Sequence, residues 1–372
     1  MIRRWFAQHR STALTAVSGG IVAATVVTLA VIYPGFDVQR LDLNDGAVWV
    51  VNGERQAVGR ANLQVGVLDS VIPGEGGQLR TVQRGSDIIV VDAGNATAEL
   101  VDAARSEVIE SVPLPPDEPS IMLAGTSVVV HSAGSGETWV TARSLFADFD
   151  PSSVAAFQFG PDSAIVATDR YGIIAVSPSL GEVYRVTPDR VDRVDRTWRI
   201  DVSDTAELQI TVARDRWAVL DVRTRLLHTE AGVIDLSGVI AASGDPRLAL
   251  ASDDANEVLV THRGGLVSVA LDGGAITELV TDRAGTPAAP VVVGECAYAA
   301  WTDGLAWRRC GQDLRELVLS AVPGAAELAF TVRDDRLVLN DRRAGASWAV
   351  QSDGRLIDNW DDLMREQEDD RE

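Results

Sequence analysis

Residues 257–280, EVLVTHRGGLVSVALDGGAITELV, contain three short apolar segments separated by two turns. The segments are Val258–Val260, Leu266–Ala270 and Ile276–Val280, and Asp272-Gly273 lies between the last two. Short apolar runs bounded by turn residues are typical of strands, and an Asp-Gly pair between two of them is a strong hairpin signal. This stretch therefore predicts three consecutive antiparallel strands.

The first of these strands belongs to a series that recurs along the whole chain. Each member has several apolar residues and then a polar or turn residue, and the last residues lie 38 to 40 positions apart, with one interval of 52. The segments are Ala47–Asn52, Ile88–Asp92, Val128–His131, Ala164–Asp169, Trp217–Asp221, Val258–Thr261, Ala297–Trp301 and Leu337–Asn340. Four-stranded units that recur every 40–45 residues or so are the signature of a β-propeller. The prediction is an all-β propeller of seven or eight blades over residues 37–357, in which each apolar strand is buried in its blade.

Tryptophans accompany these strands. Three lie on the apolar strands and two on the strands that follow, which indicates packing between blades rather than a binding platform: Trp49, Trp217, Trp301, Trp139 and Trp348. The 52-residue interval contains residues 188–196, PDRVDRVDR, with a three-residue period of alternating charge. We interpret this segment as a solvated inserted loop, with a partner-contact loop as the alternative, because insertions in repeat proteins tend to map to loops on one face.

Charge and composition exclude several classes of protein. The 372 residues carry a formal net charge of −21, and all 33 basic residues are arginine. Sequence-independent nucleic-acid binding needs a basic surface, so no nucleic-acid partner is expected. A hydrophobic fraction of 46% is too high for a disordered chain.

The N-terminal region has the pattern of a signal anchor. Residues 1–12 form a basic leader with Arg3, Arg4 and Arg10, and Ala13–Tyr33 is an uncharged apolar run of 21 residues. A helix of that length spans the roughly 30 Å hydrocarbon layer, and the positive flank predicts a cytoplasmic N-terminus. Tyr33 suits the outer interface. A cleaved signal peptide is the alternative, and either interpretation places the bulk of the chain outside the cytoplasm.

The only two cysteines, Cys296 and Cys310, fall in one unit. Cys296 begins a strand, a turn follows at residues 302–304, and Cys310 ends the return strand, so the two face each other across a hairpin. Paired cysteines in exported chains are usually oxidised, and we expect a disulfide.

Motifs of catalysis are missing from the sequence. It contains no Gly-x-Ser-x-Gly elbow, Walker loop or His-Glu-x-x-His, and the histidines have no ligand spacing. We interpret His131 and His262 as turn residues at blade ends, and Asp253-Asp254 as turn residues too. No catalytic residue, cofactor or metal ligand is assigned.

Several phrases of the sequence resemble one family. The basic leader and anchor, AVWV at 47–50, QAVGRAN at 56–62, GASW at 345–348 and DGRLIDNWDDL at 353–363 are similar to the N-terminal region of large repetitive actinobacterial surface proteins. In that family a membrane anchor and a propeller-like region precede an array of Ig-like and fibronectin type III domains. The resemblance implies a cell-surface role. The acidic tail 358–372 stands where that array would begin, as expected of a fragment, a truncated frame or a stand-alone form.

Together these features predict a membrane-anchored extracytoplasmic propeller that is a non-enzymatic binding or scaffold module. Its expected partners are the membrane, through residues 13–33, and a protein or cell-envelope polymer. The alternative is a propeller enzyme with an axial carboxylate and calcium site, of the quinone-dependent dehydrogenase or lactonase kind. The tail is expected to be a short helix or a disordered linker.

Overall fold

The computed structural model describes residues 47–188 and 193–369. These residues form eight antiparallel sheets, each one blade of an all-β propeller, in which the strands of a blade follow one another in sequence order. Seven blades have four strands, and the described part of the first blade has three. The all-β propeller predicted from the forty-residue period is therefore confirmed, with eight blades.

The strand bounds follow blade by blade. Blade 1 comprises β1 (Ala47–Asn52), β2 (Ala57–Asn62) and β3 (Val67–Pro73). Blade 2 comprises β4 (Leu79–Arg84), β5 (Asp87–Asp92), β6 (Thr97–Asp102) and β7 (Glu107–Pro113). Blade 3 comprises β8 (Pro119–Ala124), β9 (Ser127–Ser132), β10 (Glu137–Ala142) and β11 (Phe157–Gln158), with a 3₁₀ helix at Arg143–Asp148. Blade 4 comprises β12 (Ala164–Thr168), β13 (Gly172–Ser177), β14 (Glu182–Val186) and β15 (Arg196–Arg199).

The second half of the ring repeats this order. Blade 5 comprises β16 (Leu208–Ala213), β17 (Arg216–Asp221), β18 (Leu226–Thr229) and β19 (Gly232–Asp235). Blade 6 comprises β20 (Arg247–Leu248), β21 (Val258–His262), β22 (Gly265–Val269) and β23 (Ile276–Val280). Blade 7 comprises β24 (Val291–Val293), β25 (Cys296–Trp301), β26 (Leu305–Cys310) and β27 (Asp313–Val318). Blade 8 comprises β28 (Leu328–Arg333), β29 (Arg336–Asp341), β30 (Ser347–Ala349) and β31 (Arg355–Ile357), and helix α1 (Trp360–Asp369) follows.

The apolar runs of the sequence are the second strands of the blades. In a four-stranded blade this strand has a neighbour on each edge, and an adjacent blade covers each of its faces. Strand β9, for example, is buried at all six positions, and β21 at all five. Continuous apolar sequence is the pattern required by a strand with both faces covered.

Blade 4 departs from the expected series. Ala164–Asp169 was expected to be its buried apolar strand, but this segment is the partly exposed first strand β12, and β13 is fully buried at all six positions. The second strands of blades 3, 4 and 5 therefore end at Ser132, Ser177 and Asp221, and the anomalous interval of 52 disappears. The apolar sequences of β12 and β13 are alike, so composition alone did not separate them.

The inserted segment lies between β14 and β15 of blade 4. Residues 189–192 of the Asp-Arg-Val repeat lie outside the described residues. Residues 193–195 lead into β15, where Asp195 N–H donates to the Arg185 carbonyl oxygen at 2.8 Å. The insertion is thus within one blade, before its outermost strand.

The polar residue that ends most second strands caps the turn that follows. Asp92 Oδ1 accepts from the Gly94 N–H at 3.0 Å, and Asp221 Oδ1 accepts from the Arg223 N–H at 3.0 Å. Asp341 Oδ1 accepts from the Arg343 N–H at 3.1 Å. Carboxylate side chains commonly bond to the backbone two residues on, which stabilises a tight turn. The recurring apolar-then-polar form thus encodes a strand together with its turn.

Tryptophans pack between blades, as the sequence predicts. Trp49 of blade 1 is fully buried in a cluster with Leu79 and Ile88 of blade 2. Trp217 of blade 5 meets Trp198 of blade 4 edge to face, with ring centroids 5.6 Å apart. Large aromatic rings fill the wedge-shaped gaps between adjacent sheets.

Helix α1 fastens the end of the chain to blade 1. The Asn359 side chain accepts from the Leu68 N–H at 2.7 Å and donates to the Leu68 carbonyl oxygen at 2.9 Å. Trp360, only 1% exposed, follows it and donates its indole N–H to the Gly345 carbonyl oxygen at 3.0 Å. The tail is therefore a short helix over 360–369, and its first turn belongs to the core of the ring.

Candidate binding site at the open mouth of the channel

The first strand of each complete blade borders the central channel, and these strands all run in the same direction. The turns between first and second strands consequently meet at one end of the channel, which we call the closed end. The starts of the first strands and the turns after the second strands meet at the other end, the open mouth. The two ends differ in their contacts.

Asp169 draws the turns of three blades together at the closed end. Its Oδ1 accepts from Arg84 Nη1 of blade 2 at 2.5 Å and from the Gly125 N–H of blade 3 at 2.7 Å. Gly125 has φ of +56°, a conformation that aims its N–H at the carboxylate and that glycine adopts without strain. Blades 2 and 4 are not neighbours in the ring, so this contact crosses the channel.

Two further carboxylates extend this arrangement. Asp253 Oδ2 of blade 6 accepts from the Asp169 and Arg170 N–H groups of blade 4 at 3.1 and 3.2 Å. The Asp334 carboxylate of blade 8 accepts from the Gly85 N–H of blade 2, with both oxygens at 3.1 Å. The turns of blades 8, 2, 4 and 6 are thereby linked in succession. Asp253 was interpreted as a turn residue, and the structure adds that it joins two blades.

The open mouth holds two adjoining cavities. The larger, about 630 Å³, lies over blades 6, 7 and 8, and the smaller, about 420 Å³, lies over blades 8, 1 and 2. Glu327, Arg342 and Arg343 line both. Ligand sites in proteins are concave and of this size range.

Arginine and glutamate side chains form the rim of these cavities. Arg342 Nη2 lies 2.6 Å from Glu327 Oε1, and Arg343 Nε lies 3.0 Å from Glu54 Oε1. The backbone holds the same turns in place, since the Gly53 and Glu54 N–H groups donate to the Arg342 and Arg343 carbonyl oxygens at 2.9 Å. Both arginines therefore project from a turn fastened to the neighbouring blade.

Arg80, the second residue of β4, lines the smaller cavity. Within residues 47–188 and 193–369 its side chain forms no hydrogen bond and no ion pair. Burial, and next the positive charge of Arg342, lower the pKa of the Arg80 guanidinium, while Glu327 and Glu118 act in the opposite direction. Arg80 and Arg342 are thus two cations in one cavity.

The histidines of the described ring are buried and do not line either cavity. His131 Nε2 donates to the Ser163 carbonyl oxygen at 3.0 Å, and its Nδ1 accepts from the Thr138 hydroxyl at 2.9 Å. Burial is the leading cause that lowers the pKa of His131, His228 and His262. His131 and His262 stand at the ends of β9 and β21, where the sequence predicts blade-end residues.

Cys296 and Cys310 are joined by a disulfide and are directly opposite each other in the β25–β26 pair. The predicted membrane-anchor residues Arg3, Arg4, Arg10 and Tyr33 lie outside the described residues. Within the described part of the chain, no helix is long and apolar enough to cross a membrane. The same residues contain no group of three or more His, Cys, Asp or Glu side chains arranged to hold a metal ion.

Sequence reasoning missed the arginines of the open mouth. Arg342 and Arg343 follow a buried strand, but Arg223 and Arg263 follow the buried strands of blades 5 and 6 in the same way, so this position did not single them out. Arg80 is more than 240 positions away and gives no signal in the linear pattern. Only the ring brings these side chains into one cavity.

No protein-family model matches the chain, and no curated protein matches it. Among solved structures, the chain is similar to dihydro-heme d1 dehydrogenase NirN, with a TM-score of 0.58, 14% identity, and coverage of 84% of this chain and 73% of that one. It is also similar to apo AztD from Citrobacter koseri, with a TM-score of 0.53, 11% identity, and coverage of 84% and 94%. At these identities the similarity concerns the fold alone.

Proposed function

We propose that this protein is a membrane-anchored extracytoplasmic β-propeller that acts as a non-enzymatic binding or scaffold module at the cell surface. Residues 13–33 form its single membrane span, with the N-terminus in the cytoplasm and Arg3, Arg4 and Arg10 on the inner side. The Cys296–Cys310 disulfide supports an extracytoplasmic location, because disulfides persist in oxidising compartments. The partner is a protein or cell-envelope polymer. The similarity to actinobacterial surface proteins supports the same role.

The contrast between the two ends of the channel carries the binding role. Cross-channel contacts of Asp169 and Asp253 bring the turns together at one end, whereas the other end holds two cavities. We therefore assign ligand binding to the open mouth. The backbone bonds from the Gly53 and Glu54 N–H groups to the Arg342 and Arg343 carbonyl oxygens hold the rim in place before a partner arrives, which lowers the entropic cost of binding.

A propeller enzyme with an axial carboxylate and calcium site is the competing function. Glu327 and Glu54 are the carboxylates that line the two described cavities, and each is paired with an arginine. Calcium would have to displace those guanidinium groups, so we favour the binding role. Thermal unfolding with calcium and with a chelator separates the two: a calcium-dependent rise in the melting temperature would favour the enzyme.

Protease treatment of intact cells tests the location. We expect digestion of everything after residue 33, with a cytoplasmic protein as the intact control. Complete protection of the chain would overturn the proposed topology.

Site-specific cross-linking tests the binding face. A photoreactive amino acid placed at Gln78, which lines the smaller cavity, should give a discrete adduct on whole cells. The matched position is Val154, which is 94% exposed and does not line either cavity. Equal adducts from both positions, or an adduct from Val154 alone, would contradict a binding role for the open mouth.

A further inference from the structure

One arginine of the smaller cavity, Arg80, forms no ion pair within the described residues, although the charges of Glu327 and Glu118 act on it. Arg342 pairs with Glu327, Arg343 with Glu54, and Arg247, on the larger cavity, with Asp245 at 3.1 Å. Arg80 has no such partner among the described residues. Arg80 is exposed, so a ligand can reach its guanidinium group from solvent.

Arg342 is held where it faces this unpaired charge. Its carboxylate partner is itself fixed, since the Glu327 N–H donates to Asp341 Oδ1 at 2.9 Å and the Arg342 N–H donates to the Glu327 carbonyl oxygen at 3.0 Å. Asp341 is fully buried. Arg342 Nε is buried and has no acceptor within the described parts of the chain. Glu327 therefore satisfies the Arg342 guanidinium only in part.

Two guanidinium groups in one cavity repel each other, and an anion between them converts that repulsion into attraction. Guanidinium groups bind carboxylate and phosphate oxygens through paired, charge-assisted hydrogen bonds. We propose that Arg80 and Arg342 together bind one oxyanion, a phosphate or carboxylate group of the ligand, in the smaller cavity of the open mouth. This inference rests on the binding role proposed above for that mouth.

The charge of the whole chain limits what carries the oxyanion. An overall charge of −21 repels a long polyanion at distances up to about the 10 Å screening length. The ligand therefore presents a single anionic group to the cavity. An isolated phosphate on an envelope polymer and a carboxylate on a protein or glycan share this chemistry.

The test uses the full-length chain in detergent, with inorganic phosphate and acetate as separate probes in isothermal titration calorimetry. Sodium chloride keeps the ionic strength constant. We expect at least one probe to bind, and Arg80→Gln to weaken that binding about tenfold or more, the usual loss for one charged hydrogen-bond partner. Phosphate preference would identify a phosphate group on the ligand, and acetate preference a carboxylate.

Two further variants complete the test. Arg105→Gln makes the same charge change at a side chain that is 76% exposed and outside both mouth cavities, and should leave the affinity unchanged. Arg80→Lys keeps the charge without the planar fork and should give an intermediate affinity. The Arg80 side chain forms no hydrogen bond within the described residues, so its variants should fold. Melting temperatures equal to that of the unmodified chain verify this.

Absence of binding by the unmodified chain, or equal affinity in Arg80→Gln, would overturn the oxyanion site. Equal losses in Arg80→Gln and Arg105→Gln would also overturn it, because the effect would then be one of overall charge. Neither result affects the protease and cross-linking readouts, so failure of this inference is distinguishable from failure of the proposed function.

Discussion

The side-chain amide of Gln83 forms two hydrogen bonds with the main chain of Trp49. Its Oε1 accepts from the Trp49 N–H at 2.9 Å, and its Nε2 donates to the Trp49 carbonyl oxygen at 2.7 Å. Gln83 belongs to the first strand of blade 2 and Trp49 to β1 of blade 1. A neighbouring β-strand would supply the same donor and acceptor, so a side chain here substitutes for strand pairing.

Asn340 of blade 8 forms the same pair of hydrogen bonds with the main chain of Val51, two residues after Trp49. Its Oδ1 accepts from the Val51 N–H and its Nδ2 donates to the Val51 carbonyl oxygen, both at 3.1 Å. The inner edge of β1 is thus bonded from both sides of the ring. Amide side chains thus satisfy the main chain along the inner edge of β1 at Trp49 and Val51.

Removal of the Gln83 amide should destabilise the ring. Gln83→Ala leaves the buried N–H of Trp49 without a partner, while its carbonyl oxygen keeps the Thr81 hydroxyl at 3.0 Å, and one such group costs about 1 to 3 kcal/mol. Urea denaturation followed by tryptophan fluorescence measures this loss. Gln64→Ala, at an exposed glutamine of blade 1, is the matched control and should be neutral. Equal midpoints for the two variants would contradict the role of the amide.

Loss of the Trp360 side chain should also lower the free energy of unfolding. Trp360 is 1% exposed, and its ring packs against Gly59, where an added Cβ would lie 2.8 Å from the indole. Trp360→Ala should lower the free energy of unfolding by about 3 to 5 kcal/mol, the usual range for a buried tryptophan. Asp362→Asn, at an exposed site of the same helix, should change it by less than about 0.5 kcal/mol. A small effect of Trp360→Ala would mean that α1 is not part of the core.

Asp169 should stabilise the closed end of the channel. Asp169→Ala removes the acceptor of the Arg84 and Gly125 bonds, and we expect a loss of about 1 to 3 kcal/mol, chiefly from the amide bond. The ion pair adds little, because its side chains are 32% and 48% exposed. Asp215→Ala, in the corresponding turn of blade 5, is the control. Hydrogen exchange at Gly125 should quicken in the first variant alone; unchanged exchange would argue against the bond between the Gly125 N–H and Asp169.

Reduction of the Cys296–Cys310 disulfide should lower stability. The bond closes a hairpin of 14 residues' separation, and the loop-entropy relation gives about 3 kcal/mol for a loop of this size. Urea curves with and without reductant measure the difference. The double variant Cys296→Ala/Cys310→Ala should not respond to reductant, and a response by it would show that reductant acts elsewhere.

Acid should destabilise the propeller through its buried histidines. The pKa of His131, His228 and His262 is lowered in the folded state, so the unfolded chain binds more protons below its pKa of about 6.5. Stability is therefore complete above about pH 6.5 and is lost as the pH falls through and below that value. Three such groups give a slope of up to about 4 kcal/mol per pH unit.

The variant His131→Gln should reduce that slope by the contribution of one proton, about 1.4 kcal/mol per pH unit. Free energies of unfolding measured between pH 5.5 and 8 provide the comparison. Burial raises the pKa of Glu99 and Asp358, so these groups favour the folded state as the pH falls, which is opposite to the effect of the histidines. Carboxyl groups titrate mainly at lower pH, outside the compared pH range. An unchanged slope in His131→Gln would contradict the contribution of His131.

Local patterns in the sequence determined the strands, their recurrence and the disulfide. Burial on both faces demands an unbroken apolar run, and Cys296 and Cys310 are near enough in the chain for hairpin geometry to place them opposite each other. The blade number stayed at seven or eight, because the first and last units are incomplete in the sequence, and the similar apolar sequences of β12 and β13 led to the wrong strand being taken as the buried one in blade 4. Periodicity reports that blades exist but not which of two apolar strands is the inner one.

Only the closed ring decided the rest. Asn340 and Val51 are 289 positions apart, and Arg84 and Asp169 are 85 apart, yet each pair is in hydrogen-bond contact. Arg80 and Arg342 likewise come from opposite ends of the chain to one cavity. Such contacts depend on where the first and last blades meet, and on which turns reach across the channel. The spacing of residues in the sequence does not predict these contacts. It gives the order of the strands along the chain, but not the angles at which the eight sheets pack to close the ring.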